Sequence, residues 1–585
     1  MGLAAAAVTV TAVAPQSMFA DAVKTPDATS VGQVAPANSL LITFADRPDR
    51  AEAERRLAGV GTVRPSLPEE GIWEVAPSNV STARGQVLRR DGVLRAEWSL
   101  VRTADDLTRA RPQPPPTLPL LTAVEPTDPL YANAGPAQQW SLRLGNWTPG
   151  LGANARPTIA ILDSGIDSTH EEWRNAGALF APRSTLRNTG VAEDIALNGH
   201  GTHVAGIAAA PANGIGVVGV APAAGVMLPD TQYGPGQTAG VSRVIPVQIA
   251  DPLGRSTDGT IIRGIRWAVN NGAKVINISS GGPGYSQAFQ DTVNWAYKRG
   301  ALIISSVGNE GEIDNPVNFP AGYDHVIGVG AQCDGTIDGV DCKTPLGRAQ
   351  FSNFNYTVDV LAPGVNIPSS IPIAVHEREI SPGYGFKDGT SMAAPYVAGV
   401  AALVYAGHPG ITPFQVTRIL ESTAARGAAG RNNKDGWGAV NPLAAVQAPA
   451  PPDDLAEPND DVKWLPKRDT IRVTRAPIRL NAWADFNDDQ FDTVPVLLRK
   501  GERMRVTLAA RRGRLAADVY RPTATSVSFR VRSQERLAAT RLGSMARTTP
   551  GTRGLVVRAR ETGRHFIAIE AVAGGGPYTL KIQRI

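Results

Sequence analysis

Short apolar runs rich in Val, Ile and Leu recur through the middle of the chain, at residues 158–162, 244–247, 275–278, 302–304 and 326–329. They do not alternate strictly with polar residues, so each reads as a strand buried on both faces. Residues 258–271 and 286–299 repeat apolar positions at helical spacing between these runs. Buried strands alternating with helices predict an α/β unit over 127–447: a parallel sheet with right-handed crossovers, flanked by helices. Functional side chains in such a sheet belong at the carboxyl ends of its strands.

The pattern changes on both sides of this unit. Residues 38–103 read as strand (40–44), charged helix (50–57), strand (71–75), helix (82–89) and strand (93–101), an order that suits a ferredoxin-like α+β fold. A Pro-rich stretch at 104–126 follows, extended and accessible, and a second short one at 448–452 closes the α/β unit. Residues 453–585 carry short strand-like runs such as 504–508 and 566–569 with turn signals between them, and read as a small β-sandwich. Within it, 529–553 reads as an Arg-rich insertion. Residues 1–37 hold an apolar run at 3–14, too short to span a bilayer as a helix, with small residues at Ala20 and Ala22 beyond it. It reads as an export signal with a spacer, although no Lys or Arg precedes the run. No later segment reads as a membrane span.

Composition narrows this picture. At 585 residues the chain is too long for one hydrophobic core. A net charge of +5 is small for that length and does not argue for nucleic-acid binding. Only Cys333 and Cys342 are present, bracketing a short Gly- and Asp-rich segment. In an oxidising compartment they would close a surface loop; otherwise they are two free thiols.

Three segments carry candidate chemistry. In Ile161-Leu162-Asp163-Ser164-Gly165 an apolar strand ends in an acid and a glycine turn, which alone reads as an ordinary strand-to-loop Asp. Asn198-Gly199-His200-Gly201-Thr202-His203 places two histidines three apart before a helical pattern. They read either as metal ligands on one helix face or as a general base, His200, beside a structural His203. The second reading is preferred because no matching acid or Cys cluster lies nearby. Asp388-Gly389-Thr390-Ser391-Met392-Ala393-Ala394-Pro395 sets a serine among small residues at a helix start. There it is a helix cap or a nucleophile that a substrate backbone must approach closely. Serine is a weak nucleophile at neutral pH and needs a base, and the base an oriented partner. One Asp, one His and one Ser supply that set.

Together the three segments resemble the subtilase (subtilisin-like) serine peptidases, in the chain order Asp, His, Ser used by subtilisin. The resemblance spans about 320 residues and implies a subtilisin-like parallel sheet. It assigns Ser391 to attack the scissile carbonyl, His200 to take and return its proton, and Asp163 to orient His200. It also implies an oxyanion-stabilising side chain at Asn309, within Ser305-Ser306-Val307-Gly308-Asn309-Glu310-Gly311, and a peptide-pairing edge at Ser280, Gly281 and Gly282. Glu310 then sits either near the pocket for the residue preceding the cut or in a solvated loop. Residues 38–103 resemble the family's inhibitory propeptide, and 453–585 a bacterial pre-peptidase C-terminal domain, through Glu457-Pro458-Asn459-Asp460-Asp461 and Tyr578-Thr579-Leu580-Lys581-Ile582.

The implied protein is a secreted, monomeric endopeptidase acting on proteins or peptides, made as a self-processing zymogen with its own propeptide as intramolecular inhibitor. Its chemistry needs no cofactor. Structural calcium is a candidate, with no ligands assigned; the acidic run 485–492 lacks the glycine and terminal Glu of an EF-hand. A binding protein on an inactive scaffold is disfavoured because no member of the set is missing, and an esterase because the Gly281-Gly282 edge suits peptides.

Overall fold

The computed structural model describes residues 36–104, 128–132, 139–147, 157–174, 178–222, 243–335, 341–376, 378–427, 430–454, 459, 465, 470–485, 491–510, 513–524, 540–545, 551–573 and 575–585. The expected export signal, nearly all of the first Pro-rich linker and most of the acidic run 485–492 lie outside the described residues.

The apolar runs form a seven-stranded parallel sheet. Its order is Val360–Pro363, Val326–Gln332, Leu302–Ser306, Ala273–Ile278, Thr158–Asp163, Arg243–Gln248, Arg183–Ser184. Successive strands are added on one side of Thr158–Asp163 and then on the other. That reversal opens a crevice at the carboxyl ends of Thr158–Asp163 and Ala273–Ile278. Helix Thr390–Gly407 crosses one face, buried almost along its whole length. It is the one helix among the described residues long and apolar enough to cross a membrane, and 94% of it is buried inside the molecule, as befits a core helix. Helices Asp258–Asn270 and Gln287–Tyr297 cover the other face. Cys333 and Cys342 form a disulfide with S–S 2.06 Å.

Residues 36–104 fold as β-α-β-β-α-β with antiparallel sheet order Val93–Ala104, Pro36–Phe44, Ile72–Pro77, Gly61–Leu67. The strand Gly61–Leu67 is absent from the sequence reading, because Arg64 and Pro65 interrupt its apolar pattern. Leu41, Leu67 and Ile72 are fully buried in one cluster with the helices of the parallel-sheet unit. Around them Glu69 pairs with Arg266 at 2.7 Å and Glu74 pairs with Arg263. The Glu97 carboxylate accepts the backbone N–H groups of Gln287 (2.9 Å) and Ala288 (3.1 Å), satisfying a helix N-terminus that would otherwise lack acceptors.

The C-terminal region is a two-sheet sandwich. One sheet comprises Ile471–Arg472, Phe491–Leu498, Gly563–Ala573, Arg514–Tyr520 and Arg541–Met545; the other Ile478–Asp485, Gly575–Arg584, Arg503–Ala510 and Gly551–Arg558. Inward residues such as Met504, Val506, Leu508, Ile567 and Leu580 form its core. Of the stretch read as an Arg-rich insertion, the described residues include strand Arg541–Met545 and the start of Gly551–Arg558; nearly all of the rest lies outside the described residues.

Candidate active site

Asp163 is the last residue of its strand, and its side chain is buried. Its Oδ1 lies 2.8 Å from His200 Nδ1 and accepts the Ser164 backbone N–H at 2.7 Å. His200 opens helix His200–Ala209, behind Gly199 at φ 65°. Close packing here excludes larger residues: a Cβ on Gly201 would stand 2.2 Å from the Gly165 carbonyl oxygen. Ser164 Oγ joins this corner to Asp194, donating to its Oδ1 at 2.8 Å and accepting the Gly201 N–H at 2.9 Å. Asp194 in turn accepts the Thr202 N–H (2.9 Å) and hydroxyl (2.6 Å), holding the helix start in place. Burial raises the Asp194 carboxyl above its ordinary range, against these hydrogen bonds.

Ser391 stands in the first turn of helix Thr390–Gly407, whose N-cap is Gly389 at φ 150° and ψ 161°, a conformation open essentially to glycine alone. Ser391 is therefore not the helix cap. Its Oγ donates to the Ser279 carbonyl at 3.1 Å, and Ser279 Oγ donates to the Ser391 carbonyl at 2.9 Å. This reciprocal pair ties the nucleophile candidate to the end of strand Ala273–Ile278. Asn309 follows strand Leu302–Ser306. Its Oδ1 accepts both the N–H and the hydroxyl of Thr390, each at 3.0 Å, so the amide nitrogen faces the opposite way. Glu310 accepts the side-chain amides of Asn318 and Asn353, each at 3.2 Å, and belongs to a local polar network. His203 is fully buried, with Nε2 3.0 Å from the Ile367 carbonyl and 3.2 Å from that of Gly385. Burial, then the charges of Lys387 and His200, hold its pKa well below the usual value.

Ser280 and Gly281 form a short strand paired antiparallel with Ala104 and Thr103. Gly282 instead pairs its backbone with Phe319. On the opposite edge, Arg255–Thr257 pairs with Thr103, Arg102 and Val101. The end of strand Val93–Ala104 is thus clasped between two short strands of the α/β unit. It stops at Ala104, opposite Ser280 and one residue short of Ser279, which carries the Ser391 hydrogen bonds.

The structure joins Asp163 to His200, ties Ser391 to Ser279 beside Ser280 and Gly281, links Asn309 to Thr390 next to Ser391, and leaves His203 in the core. Sequence reasoning assigned no separate role to Ser279, Thr390 or Asp194. Thr390 and Ser279 adjoin residues already singled out; Asp194 carries no local signal. Among the described residues no group of three or more His, Cys, Asp or Glu side chains is arranged to hold a metal ion.

A parallel α/β sheet with an Asp–His pair at the carboxyl end of one strand and a buried serine tied to the end of the neighbouring strand fits a hydrolase of the serine-nucleophile class. Residues 154–438 match the model of the subtilase family, peptidase S8. Subtilisin from Bacillus pumilus is 38% identical over 299 residues, covering 51% of this chain and 92% of that protein. Subtilisin E from Bacillus subtilis (strain 168) is also 38% identical over 299 residues, covering 51% of this chain and 66% of that protein. Fervidolysin from Fervidobacterium pennivorans, a keratinolytic enzyme related to subtilisin, superposes with TM-score 0.59 over 94% of this chain and 92% of its own. At 21% identity that likeness concerns the fold alone. The chain belongs to the subtilase family and is a serine endopeptidase; the chemistry of this family needs no cofactor.

Proposed function

We propose that the chain is a secreted, self-processing zymogen in which Asp163, His200 and Ser391 form the triad and residues 36–104 act as the intramolecular inhibitor. The observation that carries this reading is the clasp on strand Val93–Ala104. A peptide chain of the same molecule lies extended between Arg255–Thr257 and Ser280–Gly281 and runs toward Ser391, as a substrate strand would by β-augmentation.

In this reading Ser391 Oγ turns from the Ser279 carbonyl to His200, gives up its proton to Nε2 and attacks the substrate carbonyl. Asp163 holds Nδ1 of His200 in the productive tautomer and stabilises the imidazolium. The oxyanion is met by the Asn309 amide and the Ser391 backbone N–H. His200 then protonates the leaving amine, and water hydrolyses the acyl-enzyme. Secretion is supported by the Cys333–Cys342 disulfide, which suits an oxidising compartment.

The test compares wild type with Ser391→Ala. Wild-type protein should be cut between residues 104 and 128, while Ser391→Ala stays full length and casein hydrolysis falls by at least about 10³-fold. N-terminal sequencing that finds the same cut in both proteins removes self-processing. Unchanged casein hydrolysis removes the triad assignment.

A further inference from the structure

Arg102 is fully buried, yet it belongs to the strand that must leave for substrate to enter. Each of its five guanidinium N–H groups has an acceptor on the α/β unit. Nε donates to Asp258 Oδ1 at 2.8 Å and Nη2 to Asp258 Oδ2 at 3.4 Å. Nη1 donates to the carbonyls of Gly282 and, at 2.9 Å, Pro283, and Nη2 to that of Gly284 at 2.9 Å. Asp258 is itself fully buried at the first position of helix Asp258–Asn270, behind the Thr257 cap. The pocket presents one carboxylate and three carbonyls, all acceptors. An apolar side chain entering it would leave these groups without partners. A lysine brings three donors from a single point, against the five of a planar fork.

We propose that this pocket is a specificity site of the mature peptidase, selecting substrates with arginine at the position held here by Arg102, and that Asp258 determines the choice. The inference rests on the reading that Val93–Ala104 occupies the substrate groove. Ala104 faces Ser280, so a substrate strand in the same register places its next residue beside Ser279 and Ser391. The arginine is then the fourth residue before the cut bond.

The probes are two p-nitroanilides, acetyl-Val-Xaa-Thr-Ala-Leu-p-nitroanilide, with Xaa either arginine or its neutral isostere citrulline. Processed wild-type enzyme should hydrolyse the arginine peptide with a kcat/KM at least about tenfold higher. In Asp258→Asn that ratio should fall towards one, mostly through a higher KM for the arginine peptide. Equal or absent hydrolysis of the two peptides by wild-type enzyme that still digests casein overturns the selectivity while leaving the peptidase reading intact. Loss of casein hydrolysis would instead sink the peptidase reading. If Asp258→Asn does not mature, the wild-type ratio decides alone; an unchanged ratio in a matured variant removes Asp258 from the role.

Discussion

In the proposed mechanism Asn309 offers its amide N–H groups to the oxyanion, and the N–H and hydroxyl of Thr390 orient it by holding its carbonyl end. Thr390 precedes the serine itself, so donor and nucleophile share one anchor and keep a fixed separation. Preorganisation of this kind acts on the transition state more than on substrate binding. Asn309→Leu should therefore lower kcat about 10²–10³-fold, the range known for losing one such donor from a subtilisin, with KM little changed. Steady-state kinetics on a peptide anilide would show it. A change confined to KM would move Asn309 from the oxyanion to the binding groove.

At the scale of elements, helix His200–Ala209 is held at its start by Asp194 and along its length by His203, whose ring reaches the Ile367 and Gly385 carbonyls in strands Ile367–Ser370 and Tyr384–Lys387. Those contacts by themselves favour a charged ring, but burial and the nearby Lys387 and His200 outweigh them and keep it neutral. The folded pKa is depressed, so the unfolded chain binds more protons as the pH falls below about 6.5. The His203 contribution is thus complete above that value and is lost toward lower pH. In a Ser391→Ala background, which prevents self-digestion, thermal midpoints measured from pH 8 to pH 5 should fall less steeply with His203→Gln than without it. Parallel curves would assign the acid lability elsewhere.

The same elements explain what could be read from the chain. The strands of the parallel sheet were legible because both faces are largely buried and most positions are apolar or small. Val360–Pro363 was not, being short and ending in proline. The segments around His200 and Ser391 stand out in the chain because close packing at Gly201 and the backbone conformation at Gly389 demand glycine there; their reading as a triad with Asp163 rests on the family resemblance. Asp258 was visible only as a helix start, since its partner Arg102 comes from another part of the chain and no local pattern announces the pairing.

The whole molecule joins its parts by two different kinds of interface. The N-terminal unit adds strands to the groove, sets carboxylates on helix ends and arginines, and buries Leu41, Leu67 and Ile72 against the helices of the α/β unit. The C-terminal sandwich is attached through a hydrogen-bonded linker and the packing of Trp483. Residues 448–454 run along helix Pro413–Thr423, where Gln415 donates to the Pro451 carbonyl at 2.6 Å and Thr412 to Asp453 at 2.6 Å. Asp454 then accepts the Trp483 backbone N–H at 2.9 Å. The Arg418 guanidinium lies 4.1 Å from the Trp483 ring centroid and 5.7 Å from that of Trp437, so one cation bridges an indole from each domain. Trp483 also packs on the main core of the α/β unit. Removing its ring takes away one face of the bridge, about 0.5–2 kcal/mol of cation–π attraction, together with the apolar area it covers. In the Ser391→Ala background, Trp483→Ala should let added trypsin separate the two domains several-fold faster, followed as fragments on a gel. The same substitution in active enzyme should leave kcat/KM on a peptide anilide unchanged, because Trp483 touches none of Asp163, His200 or Ser391. An unaltered rate of separation would mean that the 448–454 contacts hold the sandwich without the aromatic bridge.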